Sequence, residues 1–141
     1  MNVMFHTFGA HPAACAAADE VLRLMTEERL AERVVMLGAV LQKRLKDVLG
    51  NHPNVAEVRG RGLLQAIEIV KDRATLAPFD VSANITNRVV GAALKRGVFF
   101  YGGGTGDVRD IVCMGPPFII GEAEIETMVR VLSESLDEVL R

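Results

Sequence analysis

The stretch Arg59–Val70, RGRGLLQAIEIV, joins a glycine-broken basic segment to the longest β-prone apolar run of the chain. From Leu63 onward, both the odd-numbered and the even-numbered positions are mainly apolar. Such a run is typical of an interior strand that is covered on both of its faces. The sequence therefore predicts a strand from Leu63 to Val70 near the centre of a sheet.

Two arginines, Arg59 and Arg61, alternate with Gly60 and Gly62 just ahead of this strand. The glycines permit unusual backbone angles or a close approach of another group. A guanidinium in such a place suits a carboxylate or a phosphate. An ordinary strand entry with solvated arginines is the simpler interpretation of this stretch alone, and an anion site is the alternative.

Apolar periodicity predicts four helices around the strand. The first, Pro12–Met25, is rich in alanine, and such a slim helix can pack closely on a neighbour. Thr26 is the predicted N-cap of the second helix, which stops at Gly50. Ser82 is the predicted cap of the third helix, on which Ile85, Val89, Ala92 and Ala93 share an apolar face. Gly121 begins the last helix.

Two further strands, Gly97–Tyr101 and Asp110–Met114, are predicted to form a hairpin whose tip is the long mobile loop GGGTGDVR. The glycines do not match a nucleotide-binding loop, because no GK[ST] follows them and no helix begins there. The resulting order is helix, helix, strand, helix, strand, strand, helix. It predicts an α+β fold, a small, largely antiparallel sheet with helices packed on one face.

Composition excludes several classes of function. Half of the 141 residues are hydrophobic, which is enough for a real core, and the net charge of -2 gives no electrostatic case for nucleic acid or an anionic membrane. The histidines and cysteines do not cluster at metal-ligand spacing. Cys15 and Cys113 are predicted to be buried thiols in a reducing cytoplasm, with a disulfide bridge left open.

The segment FHTFGAHPAACAAADEVL, residues 5–22, resembles the class III pyridoxal-phosphate aminotransferases of the ornithine, 4-aminobutyrate and omega-amino-acid group. The resemblance continues through ERLAERV, VRGRGLLQAIEIV, the glycine-rich hairpin and DIVCMGPPFII, in the family's order and spacing. It implies that residues 1–25 are a connecting segment with an alanine-rich helix. It further implies that residues 26–141 are the small C-terminal domain of a dimeric fold-type I enzyme.

The resemblance also implies roles for single residues. Thr7 matches the threonine that reaches the phosphate of the neighbouring subunit's pyridoxal phosphate, and His6 beside it would have a backbone or stacking role. Arg59 matches the arginine that binds the substrate carboxylate in some members, whereas Arg61 falls where the family varies. Tyr101 lies near the position at which another subgroup has its carboxylate-binding arginine.

In the family, the Schiff-base lysine lies ahead of the region that corresponds to Phe5. Lys43 and Lys46 lie off the apolar stripe of their helix, Lys71 begins a connection and Lys95 lies at a helix end, so solvent is the expected environment of the lysines. The resemblance therefore implies that this chain alone is inactive and binds no pyridoxal phosphate. In the full enzyme, an amino group would move between an amine or amino acid and a keto acid.

The resemblance implies a homo-oligomer whose partners are the large cofactor-binding domain and small amine and keto-acid substrates. The cysteines and the net charge favour a cytoplasmic protein without nucleic-acid or membrane partners. Two alternatives stay open. In the first, the chain is a non-enzymatic binding or dimerisation module derived from this domain. In the second, a separately encoded chain completes the enzyme.

Overall fold

The fold is α+β, as the sequence predicts. A computed structural model describes residues 7, 9–106 and 108–141. Its elements in chain order are α1 (Pro12–Glu27), α2 (Leu30–Leu49), β1 (Val55–Arg61), β2 (Leu64–Ile69), a 3₁₀ turn (Val81–Ala83), α3 (Ile85–Lys95), β3 (Tyr101–Thr105), β4 (Val108–Met114) and α4 (Glu122–Leu140).

The four strands form one antiparallel sheet in the order β1-β2-β4-β3. Helices α2, α3 and α4 pack together over one face of this sheet, where the hydrophobic core lies. The predicted inner face of α3 is confirmed, because Ile85, Val89, Ala92 and Ala93 are all buried. None of the helices in the described ranges is long and apolar enough to cross a bilayer.

The first hairpin, β1 and β2, is not predicted, because the sequence pattern indicates only the second of its two strands. Arg59 and Arg61 lie within β1 and not at the entry of the central strand, and a two-residue turn at Gly62-Leu63 leads into β2. Gly62 has φ +56°, as the first central residue of a type II′ hairpin turn requires. Three charged residues and a glycine in VAEVRGR hide the apolar alternation of this edge strand.

Strand β2 is covered on one face only, so the prediction of two covered faces is wrong. Gln65, Ile67 and Ile69 point into the core and are buried. On the opposite face Leu64 is 69% exposed, and Glu68 is only half-buried. The described residues therefore leave one face of the sheet open, and this face is called the open face below.

Two predicted helix caps are also wrong. Thr26 lies in the last turn of α1, where its hydroxyl donates to the Leu22 carbonyl at 2.9 Å. Ser82 lies in the 3₁₀ turn, and its N–H donates to the Asp80 carboxylate at 2.8 Å. In both cases the residue bonds to a group two or four positions earlier in the chain, a local hydrogen bond that these residue types favour.

The first turn of α3 receives its polar partner from the sheet. The buried Asp110 of β4 accepts hydrogen bonds from the Thr86 N–H at 3.4 Å and from its hydroxyl at 3.1 Å. A carboxylate at a helix N-terminus is stabilised by the unpaired N–H groups and the helix dipole. Gly121 does precede α4 as predicted, and its N–H donates to the Glu124 carboxylate at 3.0 Å.

The second hairpin differs from the prediction, because β3 is Tyr101–Thr105 and the predicted strand Gly97–Tyr101 lies ahead of it except for Tyr101. Its ladder reaches Thr105 and Val108, so the glycines 102–104 belong to β3 and not to a mobile loop. Val98 and Phe100 precede β3, and Phe100 is buried in the core. The glycine run looks like a loop because it lacks side chains, but it pairs with β4.

Helix α2 lies directly on the turn of the first hairpin. A Cβ added to Gly38 of α2 would lie 2.3 Å from the Gly62 carbonyl carbon, and one on Gly62 would lie 2.9 Å from Val34. Real Cβ atoms do not approach backbone this closely. The close approach of the two backbones therefore depends on glycine at position 38, and the positive φ of Gly62 favours glycine at the turn.

We expect Gly38→Ala to destabilise the fold by about 1–3 kcal/mol, because the new methyl group must push α2 away from Gly62. Gly91→Ala is the matched control, since Gly91 also lies within a helix but has no atom within 4 Å of an added Cβ. It should stabilise the protein by about 0.5–1 kcal/mol. Urea unfolding of both variants measures the difference, and equal stabilities would contradict the close-approach explanation.

Candidate functional site

Arg59 and Tyr101 lie on the open face in one row across all four strands. The ladder pairs Arg59 with Ala66, Ala66 with Cys113, and Cys113 with Tyr101. Directly paired residues point to the same face, so the two candidates for substrate binding share a surface. Three inter-strand spacings separate their backbones, a distance of about 14 Å. This row is the strongest candidate for a functional site among the described residues.

The Arg59 guanidinium is held by two carboxylates of the same face. One of its terminal nitrogens, Nη1, donates to Glu68 at 2.6 Å and to Glu57 at 2.8 Å. Glu57 and Glu68 are direct neighbours across the ladder, where two like charges repel. Arg59 therefore neutralises a pair of acids that the hairpin brings together.

These carboxylates raise the pKa of Arg59, chiefly through the hydrogen bond with Glu68 and further through Glu57, against the opposing effect of partial burial. Like any arginine, it is charged at neutral pH. Exposure of the side chains is unequal, at 57% for Glu57 and 20% for Glu68. A carboxylate ligand would thus compete more readily with Glu57 than with Glu68.

The surface between Arg59 and Tyr101 carries only small side chains. Ala66 has a small side chain, and the Cys113 thiol lies over Gly103, 3.1 Å from the position of an added Cβ. Tyr101, at the far end, is 69% exposed. Cys15 is exposed and Cys113 half-buried, both as free thiols, so the prediction of two buried thiols is wrong.

The two residues implied for cofactor binding lie elsewhere. Thr7 is exposed and precedes α1, a helix that packs mainly against α2. His6 lies outside the described residues. The structure thus brings Arg59 and Tyr101 together on one face and leaves Thr7 on a separate segment.

The lysines of the chain are the side chains to which pyridoxal phosphate could attach covalently. Covalent attachment needs a desolvated lysine, and all four lysines, Lys43, Lys46, Lys71 and Lys95, are exposed. No group of three or more His, Cys, Asp or Glu side chains with metal-binding geometry occurs in the described ranges.

Sequence reasoning missed Glu57 and Glu68, the two partners of Arg59. The signal was present, because residues two apart on a strand share a face, and Glu57 and Arg59 have this spacing. This spacing places the two side chains on one face only if residues 55–61 form a strand, which the apolar pattern does not predict. Glu68 then follows from the hairpin register.

Comparison with known proteins gives the context of this site. The family model for "Aminotransferase class-III" matches residues 4–136. An uncharacterized aminotransferase of Schizosaccharomyces pombe is 38% identical over 135 residues, which are 94% of this chain and 29% of that protein. The taurine–pyruvate aminotransferase of Bilophila wadsworthia is 34% identical over 137 residues, again 94% of this chain and 29% of that protein.

Solved structures agree with these matches. An (S)-enantioselective omega-transaminase from Thermomicrobium roseum superposes with a TM-score of 0.89 at 31% identity, covering 100% of this chain and 30% of that one. A Bacillus anthracis aminotransferase gives a TM-score of 0.88 at 34% identity, covering 98% of this chain and 31% of that one. The chain spans about three tenths of the length of these relatives. It belongs to the class III aminotransferase family and corresponds to a C-terminal part of its longer members.

Proposed function

We propose that this chain is the small C-terminal domain of a pyridoxal-phosphate-dependent transaminase that moves an amino group between an amine or amino acid and a keto acid. The observation that carries the proposal is the family match over residues 4–136 by a chain that spans about three tenths of its relatives. Pyridoxal phosphate, when bound, supplies the electron sink for this chemistry. The lysine that holds the cofactor would come from the part of the enzyme that this chain does not match.

In this proposal the open face of the sheet is the substrate side of the domain. Arg59 binds the carboxylate of a keto acid or amino acid after Glu57, its more exposed partner, releases it. A guanidinium can bind a carboxylate through two parallel hydrogen bonds, which fixes the orientation of the ligand. Tyr101 at the other end of the row bounds the space for the rest of the substrate.

The names of the relatives suggest the amino acceptor but leave the amino donor open. Two of them are named for the transfer of an amino group from taurine or from putrescine to pyruvate. We take pyruvate or a similar small keto acid as the acceptor, since Arg59 would bind its carboxylate. Thr7 is assigned to the phosphate of the cofactor in a neighbouring subunit, and His6 beside it to a backbone or stacking role. The enzyme would then be a homo-oligomer, and we place it in the cytoplasm. The division between residues 1–25 and 26–141 remains part of the same proposal.

A binding or dimerisation module is the second candidate function. The observation that favours it is α1, which has no buried residue along its 16 positions. A helix with no side of its own in the core is suited to packing against another chain. This module would bind a partner without performing chemistry.

The isolated chain should show no transaminase activity when it is mixed with pyridoxal phosphate, an amine donor and pyruvate. All four of its lysines are exposed, so none is desolvated for attachment of the cofactor. Absorbance spectroscopy and alanine formation measure the outcome. A stable absorbing adduct at one lysine together with turnover would contradict the prediction.

The role of Arg59 can be tested in a chimera in which residues 4–136 replace the matching segment of the Bilophila relative. Arg59→Met should raise the KM for pyruvate about tenfold or more, since a hydrogen-bonded charge is lost from the acceptor. Arg61→Met is the matched control, two residues further along the same strand and exposed. It should change the KM for pyruvate by less than about twofold relative to the unsubstituted chimera. Such a change corresponds to less free energy than the loss of one neutral hydrogen bond. Equal effects of the two substitutions would refute the assignment.

A further inference from the structure

Only two residues, Glu28 and Arg29, separate α1 from α2. Neither is a glycine or a proline, the residue types that most often interrupt a helix. The surrounding stretch EVLRLMTEERLAER, residues 20–33, consists mainly of residues with high helix propensity. Local helix propensity therefore does not explain why the chain bends at this point.

The bend is made by the backbone of Arg29, whose φ of 51° and ψ of 44° lie in the left-handed region. For a residue with a Cβ, this conformation is about tenfold less populated than the right-handed helix. Helix α3 also follows a left-handed residue, Asn84, but asparagine tolerates this conformation well. Arg29 is not of such a residue type, so the bend is strained.

The side chain of Arg29 offers little compensation for this strain. Its guanidinium pairs with the Glu32 carboxylate at 3.3 Å, and the two side chains are 76% and 62% exposed. An ion pair as exposed as this contributes little to stability. At Asn84, by contrast, the side-chain oxygen accepts a hydrogen bond from the Asn87 amide at 2.7 Å.

The bend also leaves backbone hydrogen bonds unmade. The N–H groups of Leu30 and Ala31 donate to no other residue in the part of the chain that the structure describes, and no side chain caps α2. In a continuous helix, these groups would donate to the carbonyls four positions earlier. The Glu28 N–H already does so, because it donates to the Leu24 carbonyl at 2.9 Å. Straightening therefore requires rotation only at the two junction residues.

One buried side chain opposes straightening. No residue of α1 is buried, and this helix contacts mainly α2. At the junction, Leu30 is only 8% exposed, although it lies outside the main core cluster. The burial of Leu30 is accordingly the principal contact that favours the bend.

Helix nucleation favours the straight arrangement further. The first turn of a helix is costly to form, whereas the extension of an existing helix is not. The inner face of α2 is anchored in the core, so α2 provides a helix from which α1 can extend. The ion pairs of Arg23 with Glu20 and Glu27 lie within α1 and persist in both arrangements.

We propose that Glu28 and Arg29 form a two-state switch point, at which α1 and α2 interconvert between the bent pair and one continuous helix over residues 12–49. The straight form is the minor state, populated at about 1–10%. Straightening swings α1, which is about 24 Å long, away from α2 and carries Thr7 with it. The inference does not depend on the proposed function. Where that function holds, the switch decides whether Thr7 can reach a neighbouring subunit.

Double electron–electron resonance on the 141-residue chain measures the two arrangements directly. Spin labels are attached at the exposed Cys15 of α1 and, through Lys46→Cys, at an exposed position of α2. Cys113→Ser removes the other thiol. A continuous helix places the two labelled backbones about 46 Å apart, at 1.5 Å per residue, whereas the bent pair brings them closer. We expect the shorter distance to dominate, with a minor population at about 46 Å.

Two substitutions shift this balance in opposite directions. Leu30→Ala should raise the long-distance population about tenfold, because it removes the buried contact and introduces the best helix former. Leu94→Ala on α3 is the matched control, since Leu94 is 57% exposed, and it should change that population by less than about twofold. Adding Arg29→Gly to Leu30→Ala should return most molecules to the short distance. Glycine adopts the left-handed conformation readily and weakens a continuous helix.

Three outcomes would overturn the proposal. The first is a short distance alone in the Leu30→Ala chain. The second is a long distance that Arg29→Gly does not diminish, because Arg29 would then not control the bend. The third is a broad distribution of distances together with a loss of helical circular dichroism, which would show that α1 unfolds and does not extend α2. None of these measurements involves transamination, so the switch and the proposed function fail independently.

Discussion

The contact between Gly38 of α2 and Gly62 of the first hairpin is the constraint on which the layer arrangement depends. Because no side chain separates the two backbones, α2 lies as close to the sheet as two backbones allow. Beneath this contact, the buried Gln65 amide donates to the Gly62 carbonyl at 2.7 Å. The other helices then pack in relation to α2, with α4 against both α2 and α3. Two glycines thus determine the separation at which the core forms.

Polar contacts orient the outer helix once the core has formed. Arg44 of α2 pairs with Glu126 near the start of α4, and Arg88 of α3 donates to the Val139 carbonyl near its end. Each exposed ion pair contributes little to stability, about 0–1 kcal/mol. Their distribution along α4 nevertheless fixes its register against two neighbours. The energy comes from buried apolar residues, and the charges select one arrangement.

Apolar periodicity was sufficient for the α+β fold, for the inner face of α3 and for the strand that became β2. It failed where charge or glycine masks the pattern, as in β1 with Glu57, Arg59 and Arg61, and in β3 with its three glycines. For the site, the residues alone left an anion site at Arg59 and Arg61 as an alternative, and the resemblance selected Arg59 and added Tyr101. Their common row depends on hairpin register, and the pairing of Arg59 with two acids depends on knowing that β1 exists. The local sequence shows only the spacing of two between Glu57 and Arg59, and Glu68 and the common row follow from the register of the hairpins.

Helix α1 illustrates how unevenly stability is distributed in this domain. It has 16 residues and none of them is buried, so its own support comes from ion pairs such as those of Arg23 with Glu20 and Glu27. A helix of this length is marginal in water without packing. Its amide protons should accordingly exchange with solvent through local opening, whereas those of β2 and β4 at the centre of the sheet require global unfolding. The alanine-rich helix is then a segment whose order depends on what lies against it.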